Sequence, residues 1–285
     1  MIILSIHLFP FEIKRFQRIV NSINLNLKYT RCEELLVHAT LNKNSNILEH
    51  EYDIDEVFIN LMKTINCDIF YEIKNEVSFL GVNEHRRKTI QLSDKDDYII
   101  YIDSDLIFND KILANQIIAI DHLKNKHDYF IVTPNTIRLW DKTWDIITHE
   151  KYLNESFEFH RNANFYNIVN QNYGKIYLEK INKFKWGGGW FNCFSANLLK
   201  LIKIPTTFKG YGPDDTFVMG CCNILKKEGE DVSQYIMKNM IVCEDIKIDS
   251  KKYFKKNTKN FRELCNKNFN KELSNFYISY KKEII

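Results

Sequence analysis

Apolar positions in the first half of the chain alternate between two patterns. Ile2 to Leu8 is a short run rich in Ile and Leu, and after Pro10 come Phe11, Ile13, Phe16, Ile19, Val20 and Ile23, spaced as an amphipathic helix requires. Leu35 to Leu41 predicts a second strand, Val57 to Ile65 a helix, Cys67 to Ile73 a strand, and Asn83 to Leu92 a charge-rich helix. Tyr98 to Ile102 is the clearest strand, because a continuous β-branched and aromatic run suits a central parallel strand covered on both faces. Lys111 to Leu123 predicts a helix, Tyr129 to Thr133 a strand ended by Pro134, Ser195 to Ile202 and Asp215 to Lys227 two helices, and Tyr235 to Cys243 a late strand. Such alternation predicts an α/β fold with a mostly parallel sheet flanked by helices. The stretch 136–185 is aromatic and irregular, and its Trp, Tyr and Phe residues read as core.

Composition narrows the class. The 285 residues are 45% hydrophobic and 27% charged with 9 Gly and 4 Pro, which excludes fibrous and largely disordered chains. The 7 cysteines form no CxxC and no repeated spacing, against both a disulfide framework and a zinc ribbon, so a reducing, cytoplasmic setting is expected. No apolar run reaches membrane-spanning length, and Met1 to Phe9 lacks the marks of a signal peptide. No repeat or linker divides residues 1–245, which read as one domain. The net charge of +3 hides an asymmetry. Residues 246–285 form a basic, aromatic-interleaved tail, which suits either a helix packed on the domain or contact with an anionic surface, a membrane periphery or nucleic acid. Packing is the stronger expectation.

Candidate chemistry concentrates in four places. Asp103-Ser104-Asp105 follows the central strand, and residues i and i+2 of an extended segment project to one side, so the two carboxylates can converge on a hard cation at the sheet's carboxyl edge. The plain alternative is a loop whose Asp caps a helix. In Gly210-Tyr211-Gly212-Pro213-Asp214-Asp215, a turn delivers two acids to a helix start, where one is suited to cap and the other to act as base or hydroxyl acceptor. In Trp186-Gly187-Gly188-Gly189-Trp190, missing side chains let a ligand approach the backbone between two indoles, or form a structural turn. Asn83-Glu84-His85-Arg86-Arg87-Lys88 offers a guanidinium to phosphate or a solvated helix face. His38, His85, His122, His127, His149 and His160 have no metal-binding spacing and stay unassigned.

The order of these motifs resembles that of glycosyltransferases of the GT-A fold, closest to the family-2-like group. The likeness rests on Gly81 and Arg86 before the central strand, Asp103-Ser104-Asp105 after it, Trp186 to Trp190 with Phe194 and Ser195, and Gly212-Pro213-Asp214-Asp215. It implies a Rossmann-like domain over 1–245, with a donor-binding half at 1–110 and an acceptor half at 111–245. By likeness, Asp103 and Asp105 hold Mn²⁺ or Mg²⁺ and, with Arg86, the diphosphate of a UDP- or GDP-sugar. Asp215 matches the base, Asp214 an acceptor ligand, and Trp186, Gly188, Gly189 and Trp190 the acceptor segment. Transfer to a hydroxyl with inversion is implied by the likeness alone. Two departures stand out. The acidic pair that the family places after its second strand has no counterpart in Leu36 to Leu41, and the late metal-binding histidine is missing, with Glu244 and Asp245 in a comparable place. Two other classes compete. A haloacid-dehalogenase-type phosphohydrolase needs Thr or Val where Ile107 stands, and a non-catalytic carbohydrate- or nucleic-acid-binding module leaves the paired carboxylates without a role.

Overall fold

All the strands and helices that the apolar pattern predicts form, with ends shifted by up to five residues. The computed structural model describes residues 1–43, 53–74, 81–138, 169–170, 175–182, 184, 188–209, 213–244 and 257–284. The strands are β1 (Ile2–Leu8), β2 (Leu35–Asn42), β3 (Asp68–Lys74), β4 (Tyr98–Asp103), β5 (Leu106–Ile107), β6 (Tyr129–Arg138), β7 (Leu178–Ile181), β8 (Trp190–Ser195) and β9 (Val232–Glu244). The helices are α1 (Ile13–Asn26), α2 (Ile54–Lys63), α3 (Val82–Leu92), α4 (Ile112–Leu123), α5 (Ala196–Ile202), α6 (Asp214–Lys227) and α7 (Asn257–Ile284). They build one sheet in the order β3-β2-β1-β4-β8-β6-β9-β5, with β7 added beside β9.

The expectation of a mostly parallel sheet needs correction. β3, β2, β1 and β4 are parallel neighbours, as the alternating pattern predicts. β8 then enters antiparallel to both β4 and β6, and β5 and β7 pair antiparallel with β9, so the sheet is mixed. The source is the segment Trp190 to Ser195, every residue of which is buried. Pro134 does not end β6. The strand runs on to Arg138, and its register with β9 shifts between Pro134 and Asn135, a place where a residue without N–H is tolerated in a ladder.

Alternation along the central strands divides the core. Leu4, Ile6, Ile100 and Ile102 pack with Phe16 and Ile19 of α1, Phe58 of α2 and Leu113 of α4. Ile3, Ile99 and Tyr101 face α5, α6 and α7 through Leu199, Phe217, Phe276 and Tyr280. The three layers leave the carboxyl ends of β1 and β4 open between α3 and α6. The tail is part of this architecture, since Cys265, Phe276 and Tyr280 of α7 are buried in the second core. All seven cysteines are free, and no described helix is long and apolar enough to cross a membrane.

Candidate functional site

β4 delivers Asp103 to the sheet edge, and the neighbouring strand is shaped to receive it. The pairing of β4 with β8 slips between Tyr101 and Ile102, so that Tyr101 faces Asn192, Ile102 faces Trp190, and Phe191 is left over as a bulge. Phe191 takes φ 62°, a left-handed conformation costly for a bulky residue, about 1–3 kcal/mol, and is fully buried against Phe108. The bulge turns the preceding glycines toward Asp103. The Asp103 N–H donates to the Gly189 carbonyl at 2.8 Å, and a Cβ on Gly189 would lie 1.8 Å from Asp103 Oδ1. Only glycine fits there. Gly188 is steadied by its carbonyl, which accepts from Asn192 Nδ2 at 2.8 Å, and a Cβ on it would sit 3.9 Å from Asp215 Oδ2. The glycine segment therefore lies between the two acidic motifs.

The i, i+2 projection expected of an extended segment needs correction, because β4 ends at Asp103 and Asp105 lies in the turn that begins at Ser104. The Ser104 hydroxyl donates to Glu12 Oε1 at 2.7 Å, and Glu12 Oε2 accepts from the Phe9 N–H at 2.8 Å. Glu12, which follows the helix-starting Pro10, thus ties β1 to the acidic turn after β4. Burial pushes the Glu12 carboxyl up to about 7, against the pull of the Phe9 and Ser104 donors. Asp105 is also raised well above the usual carboxylate range, first by burial and then by the charges of Glu244, Asp103 and Glu12. Its Oδ1 is shut off from solvent with no hydrogen-bond partner among the described residues. Glu244, at the end of β9, accepts from Trp190 Nε1 at 3.2 Å. Between about pH 4.5 and 7 the folded protein holds more protons at Glu12 than the unfolded chain, so stability falls as pH rises through this window, by ~3 kcal/mol. Glu12→Gln should flatten that slope in metal-free urea titrations at pH 5 and 7; an unchanged slope would place the proton elsewhere.

Arg86 of α3 reaches across to the second acidic motif. Its Nη1 pairs with Asp214 Oδ2, its Nη2 lies 3.9 Å from Asp103 Oδ1, and its guanidinium stacks 4.7 Å from the Tyr101 ring centroid. Burial works against its charge, and Asp214 and Asp103 more than restore it, so it stays cationic. Asp214 is not the N-cap that the motif suggests. Pro213 holds the cap position, Asp214 opens α6, and the carboxylate turns inward to Arg86. Asp215, half-buried, accepts from the Thr216 N–H at 2.6 Å. With side chains of Arg86 and Asp214 9% and 7% exposed, Arg86→Met strands a buried carboxylate and should cost about 3–5 kcal/mol in urea unfolding. In the Asp214→Asn background the same replacement should cost much less; equal costs in both backgrounds would show that the pair does not couple.

One cavity of about 730 Å³ gathers these groups. Arg86, Asp103, Asp105, Glu244, Gly188, Gly189, Trp190, Asp214 and Asp215 line it. Trp186 and Asp245 lie outside the described residues, as do Gly210 to Gly212. Contributors that went unseen in the sequence include Glu12, His7 and Asn266 of α7. Beneath the cavity, Ser5, His38, Thr40, His85 and Thr89 form a buried hydrogen-bonded layer on the face that α3 covers. His85 bonds Ser5 Oγ at 2.9 Å and Thr40 Oγ1 at 2.8 Å, and His38 bonds Thr89 Oγ1 at 2.7 Å. Burial lowers the pKa of His85 well below its usual value and takes His38 to about 4 and His7 to about 3, so these histidines are neutral. Gly81 opens α3 where His7 and Asn42 crowd in, and a Cβ there would lie 2.4 Å from His7 Nε2.

No protein-family model matches the chain, and no curated protein does. Among solved structures, GalNAc-T7 with UDP, GalNAc and Mn²⁺ aligns at TM-score 0.50 and 12% identity, over 87% of this chain and 44% of the other. The fold is GT-A-like. This chain thus spans less than half the length of that neighbour, and at such identity the likeness concerns the fold alone. Mannose-6-phosphate isomerase from Helicobacter pylori aligns at TM-score 0.36 and 15% identity, over 86% of this chain and 97% of the other. A match so loose carries no argument.

Proposed function

We propose that the chain is a metal-dependent glycosyltransferase that moves a sugar from a UDP- or GDP-sugar to an acceptor hydroxyl with inversion. The observation that carries the reading is the single cavity in which the carboxylates ending the central strand face the acidic start of α6 across a glycine segment. Support comes from the GT-A-like fold and from the UDP, GalNAc and Mn²⁺ named with the structural neighbour.

The donor set fits a hard divalent ion. Asp103 and Asp105 supply carboxylate oxygens, and the orphaned Asp105 Oδ1 sits among like charges that a cation would offset. Among the described residues no three His, Cys, Asp or Glu side chains are placed to hold a metal by themselves, so Asp103 and Asp105 would hold the ion together with ligands from outside the chain, such as oxygens of the donor diphosphate. A bound divalent ion supplies charge stabilisation for the departing diphosphate. The rest falls to the chain. Arg86, fixed by Asp214 and Tyr101, brings permanent positive charge to the same cavity. Asp215 takes the proton of the acceptor hydroxyl as the new bond from its oxygen to the anomeric carbon forms and the bond from that carbon to the diphosphate oxygen breaks. Asp214, engaged with Arg86, holds the start of α6 in place.

The test is release of nucleoside diphosphate from a panel of UDP- and GDP-sugars with Mn²⁺, with Mg²⁺ and with EDTA. Turnover with metal and none with EDTA is expected. Release of phosphate from simple phosphomonoesters with no nucleotide-sugar turnover would overturn the reading in favour of a phosphohydrolase.

A further inference from the structure

The helical tail reaches the cavity. Cys265, Phe269, Leu273, Phe276 and Tyr280 recur at spacings of four, four, three and four, which places them on one stripe of α7. That stripe is seated along its length. Cys265 Sγ lies 3.9 and 3.7 Å from the carbonyls of Thr207 and Lys209, just before the turn into α6. Phe269 meets Phe217 edge to face at 6.4 Å, and Leu273 lies over Gly220, where a Cβ would sit 2.9 Å from Leu273 Cδ2. Thr207 Oγ1 donates to Glu272 Oε1 at 2.8 Å, adding a polar tie beside the stripe. Asn266, one residue and about 100° around the helix from Cys265, is left exposed and lines the cavity with Pro213, Asp215 and Thr216.

We propose that α7 is a fixed wall of the transferase cavity and that Asn266 is a positioning residue whose carboxamide hydrogen-bonds hydroxyls of a saccharide acceptor. The inference rests on the transferase reading above. A carboxamide offers donors and an acceptor at once, and with Thr216 Oγ1 and the Asp215 carboxylate at the same cavity it matches neighbouring sugar hydroxyls, each of which both gives and takes a hydrogen bond. The placement favours the acceptor over the donor, because α7 is seated on α6 and on the loop residues Thr207 and Lys209 before it, whereas Asp103 and Asp105 come from the end of β4 and the turn after it. Loss of one such hydrogen bond weakens binding about tenfold.

The full-length chain with Mn²⁺ and the nucleotide sugar selected in the hydrolysis screen is assayed twice, with water alone and with a set of para-nitrophenyl monosaccharides. For Asn266→Ala, Tm should stay within about 2 °C of wild type and donor KM and hydrolysis in water within about twofold, while the saccharide KM rises about tenfold or more. Asn266→Gln, which keeps the carboxamide, should recover part of the loss. Unchanged saccharide KM in Asn266→Ala, or an equal fall in hydrolysis and transfer, overturns the proposal. Wild type that hydrolyses donor but transfers to none of the saccharides overturns it as well. Wild type that turns over no nucleotide sugar overturns the transferase reading beneath it instead.

Discussion

Asp105→Asn should stabilise the metal-free protein and at the same time abolish divalent-ion binding and lower donor turnover by about 10³-fold. The two effects share one cause. Asp105 sits where burial and the charges of Glu244, Asp103 and Glu12 disfavour a carboxylate, so without a cation the folded state carries a repulsion that the unfolded chain does not. Asn has nearly the same shape and no charge, which removes the repulsion; for a chain of this size each kcal/mol regained is worth about 2–4 °C in Tm. In the proposed metal site the same change takes away one of two protein carboxylates, and a loss of about 4 kcal/mol in the transition state corresponds to the 10³-fold fall. Thermal melts in EDTA, Mn²⁺ titration by electron paramagnetic resonance and steady-state donor hydrolysis read the three quantities separately. A lower melting temperature in EDTA together with undiminished Mn²⁺ binding would show that Asp105 is an ordinary structural acid. Gly189→Ala should reach the same loss of turnover through geometry, since its Cβ would occupy the place of the Asp103 carboxylate.

What the sequence made legible follows from range. Elements set by their own spacing were readable: the strand at Tyr98 to Ile102 and the stripe of α1. β8 was not, because a strand buried on both faces shows no alternation and Asn192 interrupts its apolar run. Antiparallel insertion of that strand is what makes the sheet mixed. The cap expected of Asp214 gave way to a longer-range force. Locally an Asp after Pro213 suits a helix start, but the Arg86 guanidinium, 128 positions earlier, draws the carboxylate inward into a buried ion pair. Glu12 escaped notice for a similar reason, since its partner Ser104 lies 92 positions away and the local sequence shows only an acid in a first helical turn. The packing expected of the basic tail rests on its aromatic stripe, which lies against α6. His38 and His85 show no metal-ligand spacing in sequence, and the fold stacks them 4.3 Å apart in a polar layer with Ser5 and Thr89.

Division of labour between the two neighbouring acids gives the sharpest contrast. Asp214→Asn removes the carboxylate that neutralises Arg86 and leaves a buried guanidinium facing only Asp103 at 3.9 Å, so it should lower unfolding stability by about 3–5 kcal/mol. Asp215 has no such duty. It accepts only from Thr216, its own helix neighbour, among the bonds described, and it stands at the cavity beside Gly188. Asp215→Asn keeps its volume and its acceptor oxygen, so Tm should stay within about 2 °C of wild type. As the base of the proposed transfer, however, Asp215 would contribute a factor of about 10²–10⁴, and that factor should disappear from kcat for transfer with donor KM nearly unchanged. Urea unfolding and steady-state transfer, run on the two variants side by side, separate a structural from a chemical role. A stable but inactive Asp214→Asn with an unstable, active Asp215→Asn would exchange the two assignments. Transfer at the wild-type rate in both would mean that the proton leaves by another route, and the helix start would then serve only to shape the cavity.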